Sequence, residues 1–227
     1  MKNVKKELNF IDCKVYFITC KAKRDVFMSR LSLNAKAILE QTMRQSMRDA
    51  VYELLAEKEL NNISIADVAK KLNISSVTVY NYYSSRRLLI DEAINESRRK
   101  MMEKLTRCSK NFTSPEDKLM ALARVICEDF EQHRFLFMAR FAVVPQDDEN
   151  ALSAREYFKV IIDCFASAIE SGIEQGVFRK IDAQYGAMSL LGALMSFNRH
   201  ASFKWIDLSI DERLQKIKSI IIDGFKI

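Results

Sequence analysis

The sequence has 227 residues, of which 48% are hydrophobic and 29% charged, and its formal net charge is +6. It contains two prolines and five glycines; because these residues punctuate sheets and turns, their scarcity excludes a sheet-rich fold and predicts an all-α protein. No segment approaches the ~18 continuous apolar residues of a membrane span, and neither the apolar core nor the cleavage site of a signal peptide is evident.

The cysteines favour a cytoplasmic protein with reduced thiols. They are odd in number, scattered, and never spaced as CxxC, so that neither a disulfide framework nor a zinc site is indicated. We therefore expect no metal, no cofactor and no membrane partner. The five positions are Cys13, Cys20, Cys108, Cys127 and Cys164.

Residues 1–33 mix apolar and basic residues without a sustained period, which predicts a weakly ordered leader. Met28 stands just before the first amphipathic segment, so translation starting there would remove most of this leader. Residues 1–106 carry 20 Lys and Arg against 13 Asp and Glu, whereas residues 107–227 carry 16 against 17. The basic excess is typical of a module that binds a polyanion, although part of it belongs to the leader.

The first clear helical pattern begins at about Met43 and ends near Lys58, because apolar residues recur at three- and four-residue steps. Ser64 then stands directly before a short second helix that ends at Leu72. Its hydroxyl can cap the free N–H groups of that helix, and Asp67 completes a variant of the capping box.

A tight turn and two further helices follow. Asn73 tolerates the left-handed conformation of a tight helix exit, and Ser75 can cap a third helix that ends at Tyr83. Ser85 caps a fourth helix, which begins at Arg86 and runs past Met101. Two short helices joined by a tight turn, behind a longer one, predict a helix-turn-helix.

From about Met43 to Leu89 the chain resembles the DNA-binding domain of the TetR family of bacterial transcription regulators. Five residues match the family pattern, namely Ser64, Ser75, Thr78, Tyr80 and Ser85. Asn73, Tyr82, Tyr83 and Arg86 replace a Gly, a His, a Phe and a Lys of that pattern. Glu59 and Val77 depart from it, so the DNA sequence that the protein reads cannot be taken over from relatives.

The resemblance implies that the third helix enters the major groove of double-stranded operator DNA. We expect base contacts from Ser75, Ser76, Val77, Thr78 and Asn81, through hydrogen bonds or methyl contacts with thymine. We expect phosphate contacts from Ser64, Tyr80, Tyr82 and Arg86. Ser64 and Ser75 are also expected to cap helices, and Val79 and Tyr83 to be core residues.

The second part of the chain is predicted to add long helices, for a total of about nine to ten. They begin at Pro115, after Ser114, and continue over His133–Val144, Ala151–Gln175, Ala183–Phe203 and Leu208–Phe225. The predicted domains are 34–95, which binds DNA, and 96–227, which the resemblance identifies as an effector-binding and dimerisation domain.

The helix over 183–203 is apolar almost all round, so it is either fully buried or paired with a second subunit. Because operators are usually two-fold symmetric, we expect a homodimer formed through 151–175 and 183–203. A small-molecule pocket is expected in the central region, which is apolar with a few polar groups. Any single residue of this region is expected more often to belong to the ordinary core. Its candidate residues are Cys127, Phe130, His133, Phe137, Phe141, Phe158 and Asn198.

Three functional classes follow from these observations. The first is a DNA-binding repressor that a small-molecule effector releases from its operator. The second is a TetR-like coactivator or protein-binding module without operator recognition, which Val77 and Tyr82 leave open. An enzyme is disfavoured, because the sequence has no Gly-rich phosphate loop, HExxH or GxSxG motif.

Overall fold

The computed structural model describes residues 33–110, 112–140, 149–202 and 207–226. These residues form nine α-helices, and their only β-type pairing is an isolated bridge between Phe178 and Lys226. The predicted all-α class is confirmed. Residues 1–32 of the predicted leader, with Met28, lie outside the described residues, as does Phe141 of the predicted effector pocket.

The first four helices span the region of the predicted helix-turn-helix, and the other five follow it. They are α1 (Leu33–Glu57), α2 (Ile65–Lys71), α3 (Ser76–Tyr80), α4 (Arg86–Cys108), α5 (Pro115–Gln132), α6 (Arg134–Arg140), α7 (Glu149–Glu174), α8 (Ala183–Ser202) and α9 (Ile210–Ile217). A 3₁₀ turn (Leu60–Asn62) precedes α2, and α9 continues into a π turn (Lys218–Ile222) and a 3₁₀ turn (Asp223–Phe225).

The chain divides into two compact units, residues 1–93 and residues 94–227. The division lies two residues before the boundary expected from the sequence. None of the described helices combines the length and apolar character needed to cross a bilayer.

Helix α1 begins at Leu33, about ten residues before the predicted start at Met43. The residues in between include Ala35 and Ala37, which favour a helix through propensity. Ile38, the large apolar residue among them, is exposed. The apolar period that marks a buried face therefore starts later than the helix itself, and for this reason the sequence pattern placed the start too late.

Unit 1 is built around the inward faces of its helices. Arg48 of α1 pairs with Glu92 of α4, and the Tyr52 hydroxyl donates a 2.9 Å hydrogen bond to the carbonyl of Ala93. Burying apolar side chains between these helices is the main stabilising contribution. The most deeply buried ones are Met47, Val51, Leu55, Ile63, Val68, Val79 and Leu89.

Unit 2 has a larger core, in which α7 packs against α5 and α8. Helix α7 ends where Gly176 adopts a φ of +68°, as its position in the sequence predicts. Gly172, one turn earlier, lies under the ring of Phe178, so close that a Cβ atom there would meet the ring at 2.0 Å. The core includes Leu119, Leu122, Ile126, Phe137, Ile161, Phe165, Phe178, Leu190 and Leu194.

Candidate nucleic-acid interface and effector site

A full capping box holds the N-terminus of α2. Ser64 Oγ accepts a 3.2 Å hydrogen bond from the backbone N–H of Asp67, and the Asp67 carboxylate accepts from the backbone N–H and the hydroxyl of Ser64, both at 2.7 Å. The Ser64 hydroxyl, together with Lys58 and the Ser64 backbone N–H, holds the pKa of Asp67 well below its usual range. The predicted cap is confirmed.

The same geometry bears on the phosphate contact that is expected of Ser64. Its hydroxyl and its backbone N–H both donate to the Asp67 carboxylate, so neither donor is left for DNA. The carboxylate itself repels a phosphate. Ser64 therefore stabilises α2, and its contact with a DNA phosphate stays a prediction.

The turn between α2 and α3 has the conformation expected at Asn73, with a φ of +55°. The N–H of Asn73 donates to the carbonyl of Lys70 at 3.1 Å, and that of Ile74 donates to Ala69 at 2.9 Å. These bonds satisfy carbonyls at the end of α2. The turn thus places the short helix α3 directly after α2.

Ser75 caps α3 by accepting a 3.1 Å hydrogen bond from the backbone N–H of Thr78. Its hydroxyl also lies 2.9 Å from the Thr78 hydroxyl, with either oxygen able to donate. One of the two hydroxyl hydrogens is therefore used between these side chains. The Ser75 and Thr78 hydroxyls together therefore have one hydrogen left to donate to another group, such as a base edge.

The side chains of α3 divide into an inward and an outward set. Val79 and Tyr83 are buried, which confirms their predicted place in the core. Val77 is 67% exposed and Tyr80 is 53% exposed, and Asn81 is exposed with them. The outward set also contains the half-buried residues Ser76, Thr78 and Tyr82.

Arg86, from which a phosphate contact is expected, makes hydrogen bonds within the protein. Its guanidinium donates from Nε to the carbonyl of Ile63 and from a terminal nitrogen to the carbonyl of Leu60. These carbonyls belong to the connection between α1 and α2. Arg86 therefore ties the start of α4 to that connection, and its charge is directed towards the protein backbone.

The expected effector residues only partly come together. Phe130 and Phe137 meet edge to face with ring centroids 5.1 Å apart, and they are buried, as are Cys127 and Asn198. His133 is exposed at the end of α5, where its backbone N–H donates to Asp129. Phe158 is partly exposed on α7. His133 and Phe158 are thus exposed, whereas the other described candidates are buried.

Arg213 was missed by the sequence reasoning, although it is buried beside two of the expected residues. Its guanidinium donates to Asn198 Oδ1 at 2.9 Å and to the carboxylate of Glu131. Burial raises the pKa of the nearby Cys127 thiol to about 11. Among the described residues, Asn198 Nδ2 makes no hydrogen bond of good geometry to nitrogen or oxygen, and the Asn198 side chain interacts with the Cys127 thiol. A buried donor in this state costs about 1–3 kcal/mol, which an acceptor would recover.

A second buried polar cluster joins α4, α5 and α6, and it was also missed. Arg140 pairs with Asp129 and donates to Ser97 Oγ at 2.6 Å. Arg98 donates to the carbonyl of Arg140 at 3.1 and 3.0 Å. One signal for it is present in the sequence: Asp129 falls three residues after Ile126, on the apolar face of its helix. A charge on such a face predicts a buried ion pair.

The chain resembles known proteins in its fold more than in its sequence. No curated protein matches it in sequence. A transcriptional regulator from Saccharomonospora viridis, solved in complex with choline, has a TM-score of 0.75 at 16% identity, covering 82% of this chain and 99% of its own. A TetR transcription regulator from Haloarcula marismortui has a TM-score of 0.69 at 17% identity, covering 82% and 100%. The regulator AibR, solved with isovaleryl coenzyme A and operator DNA, has a TM-score of 0.64 at 14% identity, covering 78% and 97%.

The match of the sequence to a known family lies in unit 1. Residues 48–93 match the family described as bacterial regulatory proteins, tetR family. This segment contains the end of α1, the capped helix α2, the turn at Asn73, helix α3 and the start of α4. Residues 48–93 of unit 1 are therefore similar to bacterial tetR-family regulatory proteins in sequence, and the likeness of the whole chain to such regulators is one of fold.

Proposed function

We propose that this protein is a transcriptional repressor that binds operator DNA through α3 and leaves it when a small molecule binds unit 2. The observation that carries the proposal is the division of α3 into a buried side, anchored by Val79, and an outward side with Val77, Tyr80 and Asn81. A helix held in this way by a capped partner helix fits the major groove. We place the protein in the bacterial cytoplasm, where its operator lies, and regard it as a regulator and not an enzyme.

The DNA contacts divide into base readers and phosphate binders. Ser76, Val77, Thr78 and Asn81 are placed to meet base edges, and the hydroxyls of Tyr80 and Tyr82 to bind phosphates. Ser75 and Ser64 hold the two helices by their caps. Arg86 holds the connection before α2, and its effect on DNA binding is indirect.

A homodimer supplies the second α3 that a two-fold symmetric operator requires. Helix α8 supports this, because its outer side exposes Tyr185 at 71% and Met188 at 51%, with Gly192 on the same side. Leu152 is exposed on α7. Large apolar side chains exposed on one side of a helix mark a protein interaction surface. We assign the dimer contact to α8, with α7 beside it.

The effector site that we propose lies where α5, α6 and α8 supply buried apolar and polar side chains. Phe130 and Phe137 offer aromatic surface, and Asn198 Nδ2 offers a donor for an acceptor atom of the effector. Two structural neighbours bind choline and isovaleryl coenzyme A, respectively. The effector releases DNA only if it prefers the DNA-incompetent state, by about 1–3 kcal/mol for a typical coupling.

The test is selection of DNA by the full-length protein from duplexes with a randomised 30-base-pair centre. We expect enrichment of a two-fold symmetric sequence, bound at least about 1,000-fold more tightly than a scrambled duplex at the same salt concentration. A folded protein that enriches no sequence would contradict operator recognition and support the protein-binding module. In the second part of the test, small molecules are screened for the ability to lower the affinity of the protein for the selected duplex. A screen in which none lowers this affinity would contradict release by an effector.

A further inference from the structure

Val77 is the most exposed large apolar side chain among the described residues of unit 1. It occupies the second position of α3, on the outward side with Tyr80 and Asn81. A valine in this place does not help the helix, since β-branched residues lose side-chain freedom in helices. Its isopropyl group is also largely exposed and contributes little buried area to the fold. The fold therefore gives no reason for an apolar side chain here.

The polar groups around Val77 are partly committed within the protein. The Ser75 hydroxyl accepts from the Thr78 backbone N–H and shares a hydrogen bond with the Thr78 hydroxyl. The side chain of Val77 can contact a base edge only through its methyl groups. In the major groove the one apolar group on a base edge is the C5-methyl group of thymine, which apolar side chains recognise by contact.

We infer that Val77 reads the C5-methyl group of a thymine in each operator half-site, an inference that rests on the proposed DNA binding. The valine side chain has one strongly preferred rotamer in a helix, so little conformational freedom is lost when the contact forms. The contact specifies thymine by its methyl group and leaves hydrogen bonding to Asn81 and to the free hydroxyl hydrogen of the Ser75 and Thr78 pair. Val77 is thus a specificity-determining residue, whose apolar contact adds to the polar readout that its neighbours supply.

The experiment replaces each thymine of the selected operator with deoxyuridine, one position at a time and at the symmetric positions of both half-sites together. Deoxyuridine keeps the base pair and the O4 acceptor and lacks only the methyl group. We expect one position at which the replacement weakens binding of the full-length protein about fourfold for each half-site, as for the loss of one buried methyl group. Val77→Ala should weaken binding to the thymine duplex by a similar factor. Combined with deoxyuridine at that position, it should produce almost no further loss.

The matched control is Val177→Ala, which makes the same change at an exposed valine of unit 2. It should keep the full deoxyuridine effect. Thermal unfolding of both variants shows that the fold is retained. If no single thymine is sensitive to deoxyuridine, or if the sensitive thymine remains so in Val77→Ala, the inference is overturned while operator binding stands. If selection enriches no sequence, the proposed function itself fails, and the inference fails with it.

Discussion

Arg98 of α4 and Arg140 of α6 each donate hydrogen bonds to the helix of the other, within unit 2. Arg98 donates two hydrogen bonds to the Arg140 carbonyl at the end of α6, and the Arg140 side chain donates to Ser97, the residue before Arg98 on α4. Both arginines are buried. Cationic groups favour the C-terminal carbonyls of helices, so Arg98 stabilises the end of α6 while Arg140 is held by Ser97 and Asp129.

Asp129 is expected to be essential for this arrangement. Asp129→Asn removes the carboxylate that pairs with Arg140 and leaves a charge buried without its counter-ion. We expect the free energy of unfolding to fall by about 3–5 kcal/mol, measured by urea denaturation. The control is Asp211→Asn, which breaks an exposed ion pair with Arg124 and should cost about 0–1 kcal/mol. Equal losses in the two variants would contradict the role of the buried pair.

Arg86→Ala distinguishes the inward role of Arg86 from a phosphate contact. The carbonyls of Leu60 and Ile63 would lose their charged donor, so we expect unit 1 to lose about 1–3 kcal/mol of stability. DNA affinity should fall because the domain is less well held. The slope of affinity against salt concentration should stay unchanged, since no phosphate contact is removed. If the slope of log affinity against log salt concentration fell by about one in Arg86→Ala while the stability of unit 1 was retained, a phosphate contact of Arg86 would be supported instead.

The cap of α2 is expected to weaken in acid. The Ser64 hydroxyl, Lys58 and the Ser64 backbone N–H lower the pKa of Asp67 in the folded protein. The ionised carboxylate therefore stabilises the fold above the usual Asp pKa of about 4, and this contribution is lost as the pH falls below it. We expect Asp67→Asn to be less stable than the parent protein at pH 7, and the difference to shrink at pH 3.

The control for this prediction is Asp49→Asn, an exposed carboxylate of α1 that accepts a hydrogen bond from the neutral Gln45 side chain. Its stability difference from the parent should stay small at both pH values. Urea denaturation at pH 7, 5 and 3 gives all the values needed. An Asp67→Asn difference that grows towards pH 3 would show that the sign of the linkage is wrong.

Cys127 is expected to be unreactive in the folded protein. Burial raises the pKa of its thiol to about 11, so at pH 8 little thiolate is present, and reagents have no access to it. In a variant whose other four cysteines are replaced by serine, a disulfide reagent should react slowly until urea unfolds the protein. A matched variant that keeps only the half-buried Cys108 should react faster. Equal native rates would refute the burial of Cys127.

The proposed dimer contact can be tested by placing a charge on the exposed apolar side of α8. Met188→Glu should shift the protein from dimer to monomer in light scattering after size-exclusion chromatography, since an unpaired charge is costly in an interface. Leu152→Glu tests whether α7 takes part. Ile38→Glu makes a comparable change at an exposed apolar residue of unit 1 and should leave the dimer intact. A dimer that survives Met188→Glu would place the contact elsewhere.

Local chemistry made the helix-turn-helix predictable. The caps of Ser64 and Ser75 and the turn at Asn73 each involve residues within a few positions, and such contacts leave a clear sequence pattern. Val79 and Tyr83 followed from helical periodicity. The inward contacts of Arg86 could not be predicted, because they reach carbonyls 23 and 26 positions away. Every residue has a backbone carbonyl, so the sequence does not indicate which carbonyls accept such hydrogen bonds.

The effector site was less predictable for a related reason. Aromatic residues at helical spacing, such as Phe130 and Phe137, indicate buried surface but not whether that surface is core or pocket. The position of Arg213 beside Asn198 depends on the packing of α8 and α9. Charged residues are expected at the surface unless a partner is known. The sequence therefore predicted the buried apolar residues and missed the ion pairs among them.

The left-handed turn at Asn73 limits how the DNA-binding unit can change over evolutionary time. At a φ of +55°, glycine and asparagine are accepted, whereas a β-branched residue would introduce strain of about 1–3 kcal/mol. The outward residues of α3 are free of this restriction, because no core packing depends on them. New operator preferences can thus arise by substitution at Val77 or Asn81, while the backbone that presents these residues allows little variation at Asn73.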